Sequence, residues 1–275
     1  MGLTRRAAIK GMFATAIGAV AGSATYGAAY ERHRIGVTRA DLAVSGLPAS
    51  LDGLRIALLT DIHHSNLVPA DDVSKAVDLA LSERPDLVVL GGDYVTFGDR
   101  TFVGPVADLL APLNAPHGVF AILGNHDDDK DMPSALSRKG FAVLKDQRTR
   151  IEIRGEHVEL AGIRFWTRRP GEITRVIEKA RGTVLLLAHD PRRLTEASAL
   201  NVPAVLSGHT HGGQVLLPGV GAVAKAARFP ILQGTGRREN TSIFVSRGIG
   251  TVYVPVRFNC PPEVALVTLT RRSNV

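Results

Sequence analysis

Five short apolar segments of this chain each end at residues that can bind a metal ion or carry a proton, and this recurring pattern constrains the fold more than any other feature. Their sequences are LRIALLTD (54–61), PDLVVLGGD (85–93), HGVFAILGNHD (117–127), TVLLLAHD (183–190) and VPAVLSGHTH (202–211). Short continuous apolar runs bounded by turn residues are typical of buried strands. One polar residue after a strand is ordinary, but packing does not explain five such endings.

Helical patterns lie between several of these segments. Residues 69–83 begin with proline and acidic residues and then place apolar side chains at helical spacing, and residues 102–113 form a second predicted helix. Strands that alternate with helices predict an α/β fold with a largely parallel sheet. Ligands in such folds bind beyond the carboxyl ends of the strands, where the five polar endings would meet.

The second half of the chain adds predicted strands in hairpin-like order. Residues 150–165 alternate on both sides of Gly155, and residues 241–256 and 263–270 also have strand character. The sequence shows no internal repeat and no long linker. We therefore predict one domain over residues 37–275, preceded by a separate segment at residues 1–36.

The N-terminal segment has the pattern of a targeting sequence. Arg5, Arg6 and Lys10 precede an uncharged run over residues 11–29, and the stretch TRRAAIK resembles a twin-arginine export signal. It departs from that signal at Ala8 and Ile9, where phenylalanine and leucine are usual.

Export by the twin-arginine machinery predicts an extracytoplasmic or periplasmic protein. The segment is either cleaved, for example at AVA (19–21), or retained as a membrane anchor, since about 20 apolar residues can span a bilayer. A signal anchor inserted by the general pathway and an ordinary buried helix are the alternatives. A location on the cytoplasmic face is less favoured.

The positive charge of the chain is concentrated near the N-terminus. The net charge is +7, and residues 1–40 hold six basic residues and one acidic residue, which leaves +2 for residues 41–275. A nucleic-acid interface would place the excess on the folded domain. We therefore expect no nucleic-acid partner.

The strand endings offer oxygen and imidazole donors. The candidate ligands are Asp61, His63, Asp93, Asn125, His189, His209 and His211. With Cys260 as the only cysteine, a thiolate cluster is excluded. Mixed imidazole and carboxylate donors favour Mn, Fe, Zn, Co or Ni over Ca or Mg. Seven donors are too many for one ion and suit two ions that share a carboxylate.

These motifs in this order resemble the calcineurin-like metallophosphoesterase family. They stand here as DIH (61–63), GGD (91–93), GNHD (124–127), AHD (188–190) and GHTH (208–211). Residues 246–269 further resemble a bacterial subgroup of the YkuE and YaeI type. The resemblance implies an α/β fold of two facing mixed sheets with helices outside, in four αββα layers.

The resemblance also implies residue roles and two divalent transition metal ions (Mn, Fe, Zn or Ni). Asp61, His63 and His211 would hold the first ion; Asn125, His189 and His209 would hold the second; Asp93 would bridge them. The turn at 208–211 would bend so that His209 and His211 reach different ions. A hydroxide between the ions would attack phosphorus.

Two further pairs of residues are predicted around these ligands. His126 would protonate the leaving oxygen, and Asp127 would orient the His126 ring. His64 and Arg247 are candidate contacts to the substrate phosphate.

Three functions follow from the family resemblance. The first is a phosphodiesterase or phosphomonoesterase, and the sequence does not choose between these esters. The second is a pyrophosphatase of the UDP-2,3-diacylglucosamine type, acting on a lipid-linked substrate, which would need an apolar trough beside the site. The third is a metal-binding scaffold without catalysis. A nuclease is weaker because residues 41–275 are nearly neutral. The native metals, the substrate and the oligomeric state stay open.

Overall fold

The computed structural model describes residues 5–223 and 228–272, so residues 1–4 of the predicted leader and residues 224–227 and 273–275 of the predicted domain lie outside it. The α-helices are α1 (Arg5–Ala29), α2 (Ala70–Ser82), α3 (Val103–Leu110), α4 (Asp131–Arg138), α5 (Pro170–Ile177) and α6 (Leu194–Ala199). Single-turn 3-10 helices lie at Glu31–His33, Ala49–Leu51, Arg100–Phe102, Pro191–Arg193 and His211–Gly213. The strands are β1 (Gly36–Val44), β2 (Leu54–Leu59), β3 (Leu87–Leu90), β4 (Val119–Ala121), β5 (Ala142–Val143), β6 (Gln147–Ile153), β7 (Glu156–Ile163), β8 (Thr183–Ala188), β9 (Ala204–Ser207), β10 (Leu216–Leu217), β11 (Gly221–Ala222), β12 (Gly234–Arg238), β13 (Thr241–Val245) and β14 (Glu263–Arg271).

Twelve of these strands form two mixed six-stranded sheets. The first has the order β1-β14-β2-β3-β4-β5, in which only the β14–β2 pair is antiparallel. The second has the order β12-β13-β9-β8-β7-β6, with antiparallel pairs at both edges. Strands β10 and β11 form a small separate hairpin.

The apolar residues of each sheet divide between two faces. Along β2, Ile56 and Leu58 lie in the core between the sheets, whereas Ala57 and Leu59 lie in the core under α2, α3 and α4. Helices α5 and α6 cover the outer face of the second sheet. Strand side chains alternate between faces, so uniformly apolar strands are what a doubly covered sheet requires. The predicted four-layer α/β fold is confirmed.

Helix α1 contacts the domain through its last turns. The backbone N–H of Arg257 donates to Gly27 O at 3.2 Å, and the Tyr26 and Phe258 rings pack edge to face with centroids 6.5 Å apart. Within the described residues, no helix combines the length and the apolar character needed to cross a membrane. The boundary at residue 36 and the export function of the leader stay predictions.

One predicted strand region is mostly irregular. The sequence predicts strands over residues 241–256, but β13 ends at Val245. The buried Arg257 guanidinium donates hydrogen bonds to backbone oxygens in and after this region. These are the carbonyls of Arg247, Gly248, Gly250 and Cys260. The buried guanidinium is thus satisfied by carbonyls of the irregular segment that follows β13.

Candidate metal centre

The candidate ligands lie where parallel strands of both sheets end. Strands β2, β3 and β4 are parallel neighbours in one sheet, and β8 and β9 are parallel neighbours in the other. Their carboxyl ends therefore meet at one end of the sandwich. The loops that follow carry the seven predicted ligands and bring six of them into two close groups.

The first group consists of Asp61, His63 and His211, whose donor atoms lie within 4.8 Å of one another. His63 Nε2 is 3.2 Å from His211 Nε2, which is 3.4 Å from Asp61 Oδ1. Two nitrogens bound tetrahedrally to one Zn²⁺ at about 2.0–2.1 Å lie roughly 3.3 Å apart. The spacing of this group fits a shared cation.

The second group consists of Asp93, His189 and His209, again within 4.8 Å. Asp93 Oδ2 is 3.1 Å from His189 Nε2 and 3.5 Å from His63 Nε2. The same carboxylate oxygen thus reaches one histidine of each group. This is the placement expected of a carboxylate shared by two ions.

Asn125, the seventh predicted ligand, lines the open cleft beside His209. Its side-chain oxygen is buried and accepts no hydrogen bond from the described residues. Buried acceptors are rarely left unpaired, so a cation would satisfy this oxygen. Together with the mixed nitrogen and oxygen donors, it indicates that the residues present fit divalent transition metals.

Hydrogen bonds behind the groups fix the orientation of the ligands. The His189 Nδ1–H donates to Gly91 O at 2.7 Å, so its Nε2 is the nitrogen that faces Asp93. The backbone N–H of His126 donates to Asp93 Oδ1 at 2.8 Å, and this hydrogen bond directs Asp93 Oδ2 toward the histidines. Such outer contacts select the tautomer and hold the donor atoms in place.

Five of the seven predicted ligands have left-handed backbone conformations. Their φ angles are 52° at Asp61, 50° at His63, 57° at Asp93, 72° at His209 and 53° at His211. These angles are uncommon outside glycine and cost free energy that the surrounding structure must offset. At 208–211 they turn the chain so that His209 and His211 enter different groups.

Two glycines allow the backbone to approach the carboxylates. A Cβ at Gly124 would lie 2.1 Å from Asp93 Oδ1, and a Cβ at Gly208 would lie 2.3 Å from Asp61 Oδ2. Any side chain at either position would displace a candidate ligand. The glycines of the GNHD and GHTH motifs therefore have a steric role.

The two groups differ in how their histidines titrate. Burial lowers the pKa of His63 to about 4 and that of His211 well below its usual value. Burial and the neighbouring His189 charge lower the pKa of His209 to about 3. Burial also acts on His189, but the Asp93 and Asp61 carboxylates outweigh it and raise its pKa to about 10.

The carboxyl groups respond to the same surroundings in opposite directions. Burial raises the pKa of Asp61 to about 6, although the His189 charge opposes it. For Asp93, burial is outweighed by His189 and His63, and the pKa falls far below its usual value. The neighbouring histidines therefore favour the ionised form of Asp93.

His126 lies beside the two groups, with its ring 4.9 Å from that of His63, centroid to centroid. Its Nδ1 accepts a hydrogen bond from the Phe97 N–H at 3.0 Å. The Asp127 carboxylate instead accepts from the backbone N–H groups of Asp93, Tyr94 and Gly124 at 2.7–2.8 Å. Asp127 thus ties the loop after β3 to the loop after β4, and these hydrogen bonds do not give it the predicted role of orienting His126.

A model of the calcineurin-like phosphoesterase family matches residues 54–213. This chain belongs to that family. It is 32% identical to the uncharacterized metallophosphoesterase YkuE of Bacillus subtilis, over 97% of this chain and 98% of the relative. It is 34% identical to the phosphodiesterase YaeI of Escherichia coli, over 78% and 82%, and 30% identical to an uncharacterized metallophosphoesterase of Aquifex aeolicus, over 89% and 95%. The chain is a metal-dependent phosphoric ester hydrolase.

In this calcineurin-like phosphoesterase, the two predicted phosphate contacts have other partners. The buried His64 ring hydrogen-bonds Val68 O through Nδ1 at 2.9 Å and packs edge-on against Phe102. The Arg247 guanidinium pairs with the buried Glu263 and donates to Thr38. The His64 contacts serve packing, and the Arg247 contacts link β1 to the start of β14. Neither set of contacts supports a role in substrate binding.

The phosphoesterase cleft has an aromatic wall that the sequence did not predict. It is open and has a volume of about 670 Å³. Phe97 lies 5.0 Å from His126 and 5.7 Å from Tyr253, centroid to centroid, and both aromatic residues have left-handed φ angles. Phe97 is 68% exposed and Tyr253 is 66% exposed. Nothing in the local sequence distinguishes them from ordinary strand or loop aromatics.

Proposed function

We propose that this phosphoesterase uses two divalent transition metal ions to hydrolyse a phosphodiester or phosphomonoester. Asp61, His63 and His211 would hold one ion, and Asn125, His189 and His209 the other. Asp93 would bridge them. The position of Asp93 Oδ2, within 3.5 Å of a histidine from each group, is the observation that carries the proposal. Bound ions would lower the pKa of a water and neutralise charge on the phosphoryl oxygens.

His126 is proposed as the acid for the leaving oxygen. Because its Nδ1 accepts the Phe97 N–H, the neutral ring carries its proton on Nε2. His126 lines the cleft beside Asn125 and His209, so a substrate phosphate there would lie within its reach.

The test is hydrolysis of a phosphate ester panel by metal-stripped protein reconstituted singly with Mn, Fe, Zn, Ni or Mg. We expect a transition metal to restore hydrolysis of bis-p-nitrophenyl phosphate. His126→Ala should lower kcat by about 10²–10⁴-fold. His157→Ala, at an exposed histidine outside the cleft, should not. Two bound ions without hydrolysis of any ester would instead favour the non-catalytic scaffold.

A second candidate is cleavage of a lipid-linked pyrophosphate of the UDP-2,3-diacylglucosamine type. A groove of about 320 Å³ shares Phe97 and Tyr253 with the cleft and continues along Leu67, Phe102 and Val254. Such a groove could receive an acyl chain. Faster hydrolysis of an acylated substrate than of its deacylated form would favour this candidate.

Export is proposed from the leader alone. We expect the protein outside the cytoplasm, released or anchored. Replacement of Arg5 and Arg6 by lysine should block export through the twin-arginine machinery. Fractionation of cells that express both forms tests this, and unchanged export of the variant would contradict it.

A further inference from the structure

Several arginines in the segments that flank the cleft are paired with acidic side chains. Arg100 pairs with Asp128 at 3.0 Å, and Arg164 pairs with Asp146 at 2.7 Å. Arg192 pairs with Asp190 at 2.7 Å, and Arg193 pairs with Glu196. The positive charges of these arginines are therefore neutralised by carboxylates of the protein itself.

Arg168 differs from these arginines. Its guanidinium carbon lies 5.0 Å from the Trp166 ring centroid and 5.3 Å from that of Phe165. Within residues 5–223 and 228–272, its guanidinium has no carboxylate partner. It is exposed and lines the cleft together with His126 and His209. A guanidinium that lies against two aromatic rings keeps N–H groups available for a ligand.

The position of Arg168 relative to the metal groups decides what it can bind. The Phe165 ring under Arg168 lies 5.1 Å from the His209 ring. One aromatic ring therefore separates the guanidinium from the second group. If the metal groups hold the phosphate that is cleaved, an anionic group bound by Arg168 would lie next to that phosphate rather than on it.

We propose that Arg168 binds a second anionic group of the substrate, next to the phosphate that is cleaved, and that Trp166 and Phe165 position it. The substrate class is then a phosphoric ester with an adjacent phosphate, such as a nucleoside diphosphate derivative. The planar fork of arginine suits two oxygens of one phosphate. This inference rests on the proposed function because it assigns the scissile phosphate to the metal groups.

The single tryptophan of the chain reports on this site directly, since it is Trp166. The experiment titrates AMP and ADP into Zn²⁺-loaded protein and follows tryptophan fluorescence. We expect the wild type to bind ADP about five- to tenfold more tightly than AMP. Arg168→Ala should abolish that preference, and Arg169→Ala, at the adjacent exposed arginine, should retain it.

The outcomes separate this inference from the proposed function. Equal affinities of the wild type for AMP and ADP, or an unchanged preference in Arg168→Ala, would overturn the role of Arg168. An equal loss in Arg169→Ala would also overturn it, because the effect would then come from general positive charge. Hydrolysis of bis-p-nitrophenyl phosphate by the same preparations reports on the proposed function independently.

Discussion

The two donor groups of the centre are alike in composition and unlike in surroundings. All three residues of the first group are buried, whereas His209 of the second group is partly exposed at the cleft. The first group is closed, and His209 of the second group faces the open cleft, where we propose that a substrate binds. Because closed metal sites are mainly structural and open ones keep a position for ligands, we expect different behaviour from the two.

The support behind each group differs in the same direction. Hydrogen bonds from loop 246–260 hold the first group: the Gly250 backbone N–H donates to Asp61 O at 2.7 Å, and the Cys260 thiol donates to His211 O at 3.2 Å. Behind the second group, the His209 ring packs between Phe165 and Phe229 with centroids 5.1 and 5.5 Å away. Within the second group, hydrogen bonds hold Asp93 and His189, whereas ring packing holds the His209 ring, which we expect to adjust more easily.

The strongest way to break the comparison is to remove the residue that joins the groups. Asp93→Asn keeps the size of the side chain but loses the charge that faces His63 and His189. We expect loss of metal from both groups and a fall in kcat/KM of at least about 10³-fold, measured by metal analysis and bis-p-nitrophenyl phosphate hydrolysis. Asp99→Asn, on the exposed loop nearby, is the matched control.

Loss of one ion with full retention of the other in Asp93→Asn would show that the groups are independent sites. The bridging assignment would then be wrong, although each group could still hold an ion.

The second prediction uses the difference in exposure. His209→Gly and His211→Gly should each lower the affinity for one ion by about 10–100-fold or more, because each removes a ligand. Added imidazole should restore activity to His209→Gly, whose ring faces the cleft. It should not restore His211→Gly, whose site is closed. Rescue of both variants, or of His211→Gly alone, would contradict the proposed difference in solvent access between the two groups.

The contrast also shows how far the sequence predicts this centre. The order of the strand endings predicted the fold. It also predicted that the seven candidate ligands lie at one end of the sheets, because the carboxyl ends of parallel strands meet there. It did not predict the left-handed angles at Asp61, His63 and Asp93, since these arise from tertiary packing that forces unfavourable backbone conformations.

The partners of individual side chains were the least predictable part. Asp127 follows His126 in the chain, yet it accepts backbone N–H groups, and Phe97 supplies the N–H to the ring. Arg247 carries a charge suited to phosphate, but Glu263, sixteen residues away, neutralises it. Sequence spacing does not fix which of several polar neighbours a side chain meets, because that depends on loop conformation.

The third prediction concerns how the ion affinity of each group depends on pH. Without metal, His189 has a pKa of about 10 and must lose a proton before Nε2 can bind an ion. Affinity of the second group should therefore rise about tenfold per pH unit between pH 6 and 9. Affinity of the first group should level off above pH 7, because His63 is already neutral and Asp61 has a pKa of about 6.

Calorimetry in buffers of different ionisation enthalpy measures this difference as proton release. Near pH 8 we expect about one proton released by the ion that binds second-group residues and almost none by the other. Single-site variants assign the two events. Equal proton release from both would remove the electrostatic distinction between the groups.

The smallest predicted effect concerns the support behind each group. Cys260→Ala removes the thiol that donates to His211 O and leaves a small cavity, so we expect about 1 kcal/mol lower stability. It should weaken ion binding at the first group about two- to fivefold and leave the second unchanged. Phe229→Leu, which loosens the ring packed on His209, should do the reverse. Competition with a metal chelator measures both affinities. If Cys260→Ala weakens ion binding at both groups equally, the hydrogen bond to His211 does not act on the first group alone, and the proposed difference in support between the groups is wrong.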